Sequence, residues 1–150
     1  MTPFDVQLKT LSQHLEGFLA LLEEESLALA SGNSERLSDL TGQRQFASQQ
    51  LGDDWKQLAA HLGLSADAGL PALRLRAFSD LAPSALWLQL ERLTHEAARL
   101  NRVNGRLIDE QMRRTQTALQ VLQGASGRGL YGSDGRLNDV LNTTRSIDSA

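Results

Sequence analysis

Gly127-Arg128-Gly129-Leu130-Tyr131-Gly132 has the spacing of a G-x-G-x-x-G dinucleotide loop, in which glycines let backbone N–H groups close on a pyrophosphate. That chemistry needs a strand before the loop and a helix after it. Here the stretch follows a long helical pattern, so a linker is the better reading. His95-Glu96-Ala97-Ala98-Arg99 is half of the H-E-x-x-H zinc motif, but Arg99 stands where the second ligand belongs and would repel the metal. His14 and His61 lie on other segments with no Asp or Cys at ligand spacing and read as helix-surface histidines. Glu23-Glu24-Glu25 offers three carboxylates, yet successive helical positions point about 100° apart and cannot converge on one substrate, so a solvated acidic face explains them. No serine has a histidine and a carboxylate at recognisable spacing. With no cysteine, thiolate nucleophiles, disulfides and thiolate-bound metals are excluded. The chemistry-bearing residues therefore point to a binding protein, with neither enzymatic activity, cofactor nor metal expected.

The elements that would position such residues are helices. Of the 150 residues, 41% are apolar but only 5% aromatic, a leucine-rich profile that suits helices packed along leucine seams in one ordinary-sized chain. Thr2 as N-cap, Pro3 at the first helical position and Asp5 as the capping-box carboxylate start a helix at once. Phe4, Leu8, Leu11, Leu15, Phe18, Leu22 and Leu29 then follow steps of four and three, with a vacancy at Glu25. Ser31-Gly32-Asn33 supplies a stop and a fresh N-cap. Leu37, Leu40, Arg44, Ala47, Leu51, Leu58 and Leu62 repeat the rhythm in a second segment, weakened at Gly42 and Gly52. The pattern breaks between Gly63 and Pro83, a connector with room for a short helix over Ala72 to Leu81. Leu86, Leu90, Leu93, Ala97, Leu100, Asn104, Leu107, Gln111, Ala118 and Leu122 mark a third and longest segment. The expected fold is all-α: a long antiparallel helical hairpin or a bundle of about three long helices over residues 1–123. A flexible, glycine-rich tail over 124–150 follows.

Charge is uneven. Residues 1–62 hold nine acidic and four basic side chains, whereas 84–123 hold six arginines against four carboxylates. Antiparallel neighbours of opposite bias attract modestly. Glu91, Glu96, Asp109 and Glu110 interrupt the arginines at intrahelical pairing distance, which argues against a nucleic-acid surface. No apolar run approaches the ~18 residues of a membrane span, and the start of the chain carries no basic leader, so a cytoplasmic protein without membrane insertion is expected.

Two features are not explained by packing alone. Asn101, Asn104 and Gly105 interrupt the leucine seam in mid-helix, where a polar residue fixes register or partner choice and a glycine admits another backbone. Leu130-Tyr131-Gly132 sets the only tyrosine beside a leucine in a polar linker, an arrangement suited to docking. Beyond it Leu137, Val140, Leu141 and Ile147 form a weakly amphipathic segment expected to order only on binding.

Taken in order, Asn101-x-x-Asn104-Gly105-x-Leu107-Ile108, Gln116-x-x-Leu119-x-x-Leu122 and Leu130-Tyr131-Gly132-x-x-Gly135 resemble the FlgN family of flagellar type III export chaperones. The resemblance implies a cytoplasmic helical chaperone that binds the hook-filament junction proteins FlgK and FlgL before export, without cofactor or enzymatic step. It implies cargo binding in the C-terminal part and docking of Tyr131 to the export gate, with the export ATPase a further candidate partner. Asn101, Asn104, Gly105, Leu107, Ile108, Leu130, Tyr131, Gly132, Leu137, Val140, Leu141 and Ile147 are the expected partner-binding residues. The seams alone are equally compatible with a structural coiled-coil or adaptor protein that forms a homo-oligomer. A helical enzyme built from dispersed residues would need a concave pocket with perturbed acids, to which nothing in the sequence points.

Overall fold

The first turn of the chain closes as its residue types dictate. In the computed structural model, which describes residues 1–125, the Thr2 hydroxyl accepts from the Asp5 N–H at 3.1 Å. The Thr2 N–H donates back to the Asp5 carboxylate at 3.0 Å, completing the capping box that opens α1 (Pro3–Ser31). Gly32 ends it in the left-handed region at φ 67°. The Asn33 N–H bonds to Ala28 O at 2.9 Å and the Gly32 N–H to Leu29 O at 3.3 Å, the two bonds of a Schellman motif. Asn33 then accepts from the Arg36 N–H at 3.0 Å and caps α2 (Ser34–His61). The same device recurs at Gly63, φ 68°, where the Leu64 N–H reaches Ala59 O at 2.8 Å.

The connector holds the short helix expected there, shifted to α3 (Leu70–Phe78) because Gly69 serves as N-cap and Pro71 occupies the first turn. It is tied down by side chains: the Trp55 indole N–H donates to Ala68 O at 3.0 Å and Arg76 Nε to Leu62 O at 3.0 Å. Ser84 accepts from the Trp87 N–H at 3.3 Å at the start of α4 (Ala85–Ala125), which continues through Gly124, just past the end expected from the glycine cluster. Among the described residues there are four helices and no strand.

The described residues fall into two units, Met1–Ile108 and residues 109–125. In the first unit, α2 runs antiparallel to α1, since Arg44 meets Glu25 while Asp54 meets His14. The N-terminal part of α4 runs parallel to α1, with Gln89 on Glu16 and Asn104 on Leu22. The core of this unit is Leu8, Leu11, Leu15, Leu19 and Leu22 of α1 against Leu58, Ala59, Leu73, Trp87, Leu90, Ala97 and Leu100. Each buried leucine contributes about 1.5–3 kcal/mol. One end is closed by aromatics: Phe78 packs edge-on against Trp87 at 5.5 Å and Phe4 at 6.3 Å, and Phe4 lies on His61 at 5.8 Å. In the second unit α4 continues, and the side chains of residues 109–124 are mostly exposed.

Candidate protein-interaction surfaces

Asn104 sits on the inward stripe of α4, continuing Leu93, Ala97 and Leu100, and is only 1% exposed. Its Nδ2 donates to Leu22 O at 2.9 Å and to Glu25 Oε1 at 3.1 Å. Glu25 does not belong to a solvated acidic face as the run Glu23-Glu24-Glu25 implied; it is 7% exposed. Arg44 explains why a carboxylate is tolerated there, donating from Nη1 to both carboxylate oxygens at 2.8 and 2.9 Å. Nη2 of the same guanidinium donates to Asn101 Oδ1 at 2.5 Å. The vacancy in the α1 seam, the arginine in the α2 seam and the asparagines in the α4 seam are thus one network joining three helices, in place of three separate irregularities. Such a network fixes the register of the helices, because a shift of one turn leaves a buried charge unpaired.

The remaining titratable groups are structural or exposed. His95 is exposed, and His14 Nδ1 lies 2.5 Å from Asp54 Oδ2 on the neighbouring helix. The Arg99 guanidinium beside Glu96, 2.5 Å away, holds the Glu96 carboxyl below the usual carboxylate range, and Arg114 pairs with Glu110 at 2.7 Å. These are the intrahelical pairs expected of the arginine-rich segment. Among the described residues no group of His, Asp and Glu is placed to hold a metal ion, and no helix is long and apolar enough to cross a membrane.

From Ile108 onward α4 carries apolar side chains that are partly exposed. Ile108, Met112, Leu119 and Leu122 follow one another at steps of four, seven and three and are 39, 38, 38 and 61% exposed. They lie on one face of the helix over about 21 Å. Of the residues expected to bind partners, Asn104 faces inward, Leu107 is half-buried, and Asn101, Gly105 and Ile108 are exposed. Leu130, Tyr131, Gly132, Leu137, Val140, Leu141 and Ile147 lie outside the described residues.

Residues 5–139 match the model of a family described as FlgN protein. The chain belongs to the FlgN family. It is 31% identical over 147 residues to the flagella synthesis protein FlgN of Proteus mirabilis, covering 95% of this chain and 92% of that protein. No solved structure matches the chain. The match therefore covers the buried network, the α4 stripe and the Leu130-Tyr131-Gly132 segment together.

Proposed function

We propose that the chain is a flagellar export chaperone. It binds the hook-filament junction proteins of the FlgK and FlgL type in the cytoplasm, keeps them soluble and unpolymerised, and delivers them to the type III export gate. Membership of the FlgN family and the likeness to a flagella synthesis protein support a flagellar role. The observation that carries the chaperone reading is the row of partly exposed apolar side chains Ile108, Met112 and Leu119 along α4. An apolar helical face of this kind complements a cargo helix whose own apolar face is buried only after polymerisation. Leu107 and Ile108 begin the cargo surface, and Leu137, Val140, Leu141 and Ile147 extend it. Tyr131, with Leu130 and Gly132, is the segment we assign to the gate. Asn101 and Asn104 keep the first unit's part of α4 in register with α1 and α2, and Gly105, exposed beside them, leaves room for a partner's close approach.

The experiment is co-purification with the hook-filament junction proteins, using the full chain and a chain ending at Gln123. A stable complex with the full chain that weakens on truncation supports the reading. A chain that binds neither protein but forms concentration-dependent dimers is instead a structural coiled-coil protein.

A further inference from the structure

A second surface lies on the first unit, lined by α1 and α2 alone. Between α1 and α2 runs an open groove of about 560 Å³ floored by Gly17, Phe18 and Leu21 from one helix and Gly42, Phe46 and Ala47 from the other. Its volume falls in the range of about 300–1,000 Å³ that receives several bulky groups. Phe46 is 68% exposed at its edge, and large exposed aromatics are enriched where proteins meet. The glycines are informative because the fold does not use them. Both are mid-helix, neither has a positive φ, and a Cβ on either would meet no atom within 4 Å. Each weakens its helix relative to alanine while admitting nothing from this chain.

Charge narrows what fits. The outer face of α2 reads Glu35, Asp39, Gln43, Phe46, Gln50, Asp53, at steps of four, four, three, four and three, so carboxylates stand at both ends of an apolar and amide-lined middle. Glu35, Asp39 and Asp53 are exposed and make no ion pair among the described residues. On the facing helix α1, Glu24 is neutralised by Arg36, and His14 pairs with Asp54 of α2. The one cation on that side, Lys9, lies a turn beyond Gln13. On α2 the exposed Lys56 stands one turn beyond Asp53, so Glu35, Asp39 and Asp53 outnumber the cations Lys9 and Lys56 by three to two and the balance around the groove is modestly negative.

We propose that this groove docks an amphipathic helix of a partner protein, one whose bulky apolar ridge is flanked by lysine or arginine. The ridge seats between the two antiparallel helices, the glycines let its axis approach closely, and the flanking cations meet Asp39 and Asp53. The site is separate from the α4 stripe and does not rest on the export reading.

The test uses the full chain and two labelled synthetic helical peptides of about 18 residues, roughly the 27 Å between Glu35 and Asp53. Both carry leucines at helical spacing, one flanked by lysine and the other by glutamate. The lysine peptide is expected to bind, more weakly as salt rises, and the glutamate peptide not to bind. Gly42→Leu projects a side chain into the floor from a position where a Cβ meets no atom within 4 Å, keeps or raises the melting temperature, and weakens the lysine peptide by about tenfold or more. Asp39→Lys with Asp53→Lys, which touches no packed group, weakens it by about tenfold and lets the glutamate peptide bind. Equal binding of the two peptides, or binding indifferent to both the groove-filling and the charge-reversed chain, overturns the proposal. A concentration-dependent dimer abolished by Gly42→Leu also overturns it, by assigning the groove to a second copy.

Discussion

Replacing Arg44 with leucine removes two hydrogen bonds, of 2.8 and 2.9 Å, from a Glu25 side chain that is 9% exposed, and leaves the carboxylate with the Asn104 amide alone. Removing one partner of a buried pair destabilises by about 3–5 kcal/mol. Arg44 is itself 33% exposed, so water screens the pair and follows into the vacated space, which lowers the expected loss to about 2–3 kcal/mol. With a urea slope near 2 kcal/mol per molar, the unfolding midpoint should fall by about 1 M. Glu25→Leu combined with Arg44→Leu removes the orphaned charge, and Asn104 keeps its bond to Leu22 O at 2.9 Å, so the double variant should lie within about 1 kcal/mol of the parent. The assay is urea unfolding followed by far-ultraviolet circular dichroism on the parent, both single variants and the double. A single Arg44→Leu variant as stable as the parent, or a double variant less stable than that single, would refute the account of the network.

Trp87→Ala opens a cavity against Phe78 and Leu90 and deletes the indole N–H bond to Glu91 at 2.7 Å; a loss of about 3–5 kcal/mol is expected by the same unfolding assay. Ile108→Asp, Met112→Asp and Leu119→Asp together should leave the melting temperature within a few degrees of the parent, because these side chains are already exposed, while co-purification with cargo is lost. The backbone N–H of Thr2, followed by its hydroxyl, hydrogen-bonds Asp5 and holds its carboxyl below the ordinary value. A folded pKa below the unfolded one means that the capping contribution is present above the unfolded value and is lost as pH falls through the folded one. The first turn of α1 should therefore fray on acidification and not on raising pH, as read by amide exchange at Val6, and Asp5→Asn should remove that dependence.

Local signals were legible because their partners are neighbours in the chain. Thr2 with Asp5, and Ser31-Gly32-Asn33, close through bonds three to five residues long, so residue type alone places them. Glu25 was not legible in the same way. Its seam position is visible, but only folding supplies Arg44 from one helix and Asn104 from another. Trp87 escapes a four-three count anchored on Leu86 and Leu90, since its cover comes from Phe78 and Leu73 of the connector. The groove around Phe46 carries no apolar seam: Gly42 reads as a local weakness until its helix stands beside Gly17 and Phe18 of α1.

The parallel course of α1 and α4 sets an order of assembly. Arg44 reaches Glu25 across 19 residues, whereas Asn104 reaches Leu22 across 82. Closing the longer loop costs about 1.3 kcal/mol more in chain entropy, so the α1–α2 hairpin gains its contacts early and α4 is recruited to a template already formed. On a ribosome that template is complete before the last third of the chain has emerged. By the same difference the part of α4 within the first unit docks again last after a local opening, so amide exchange there reports the long-range closure and not the hairpin.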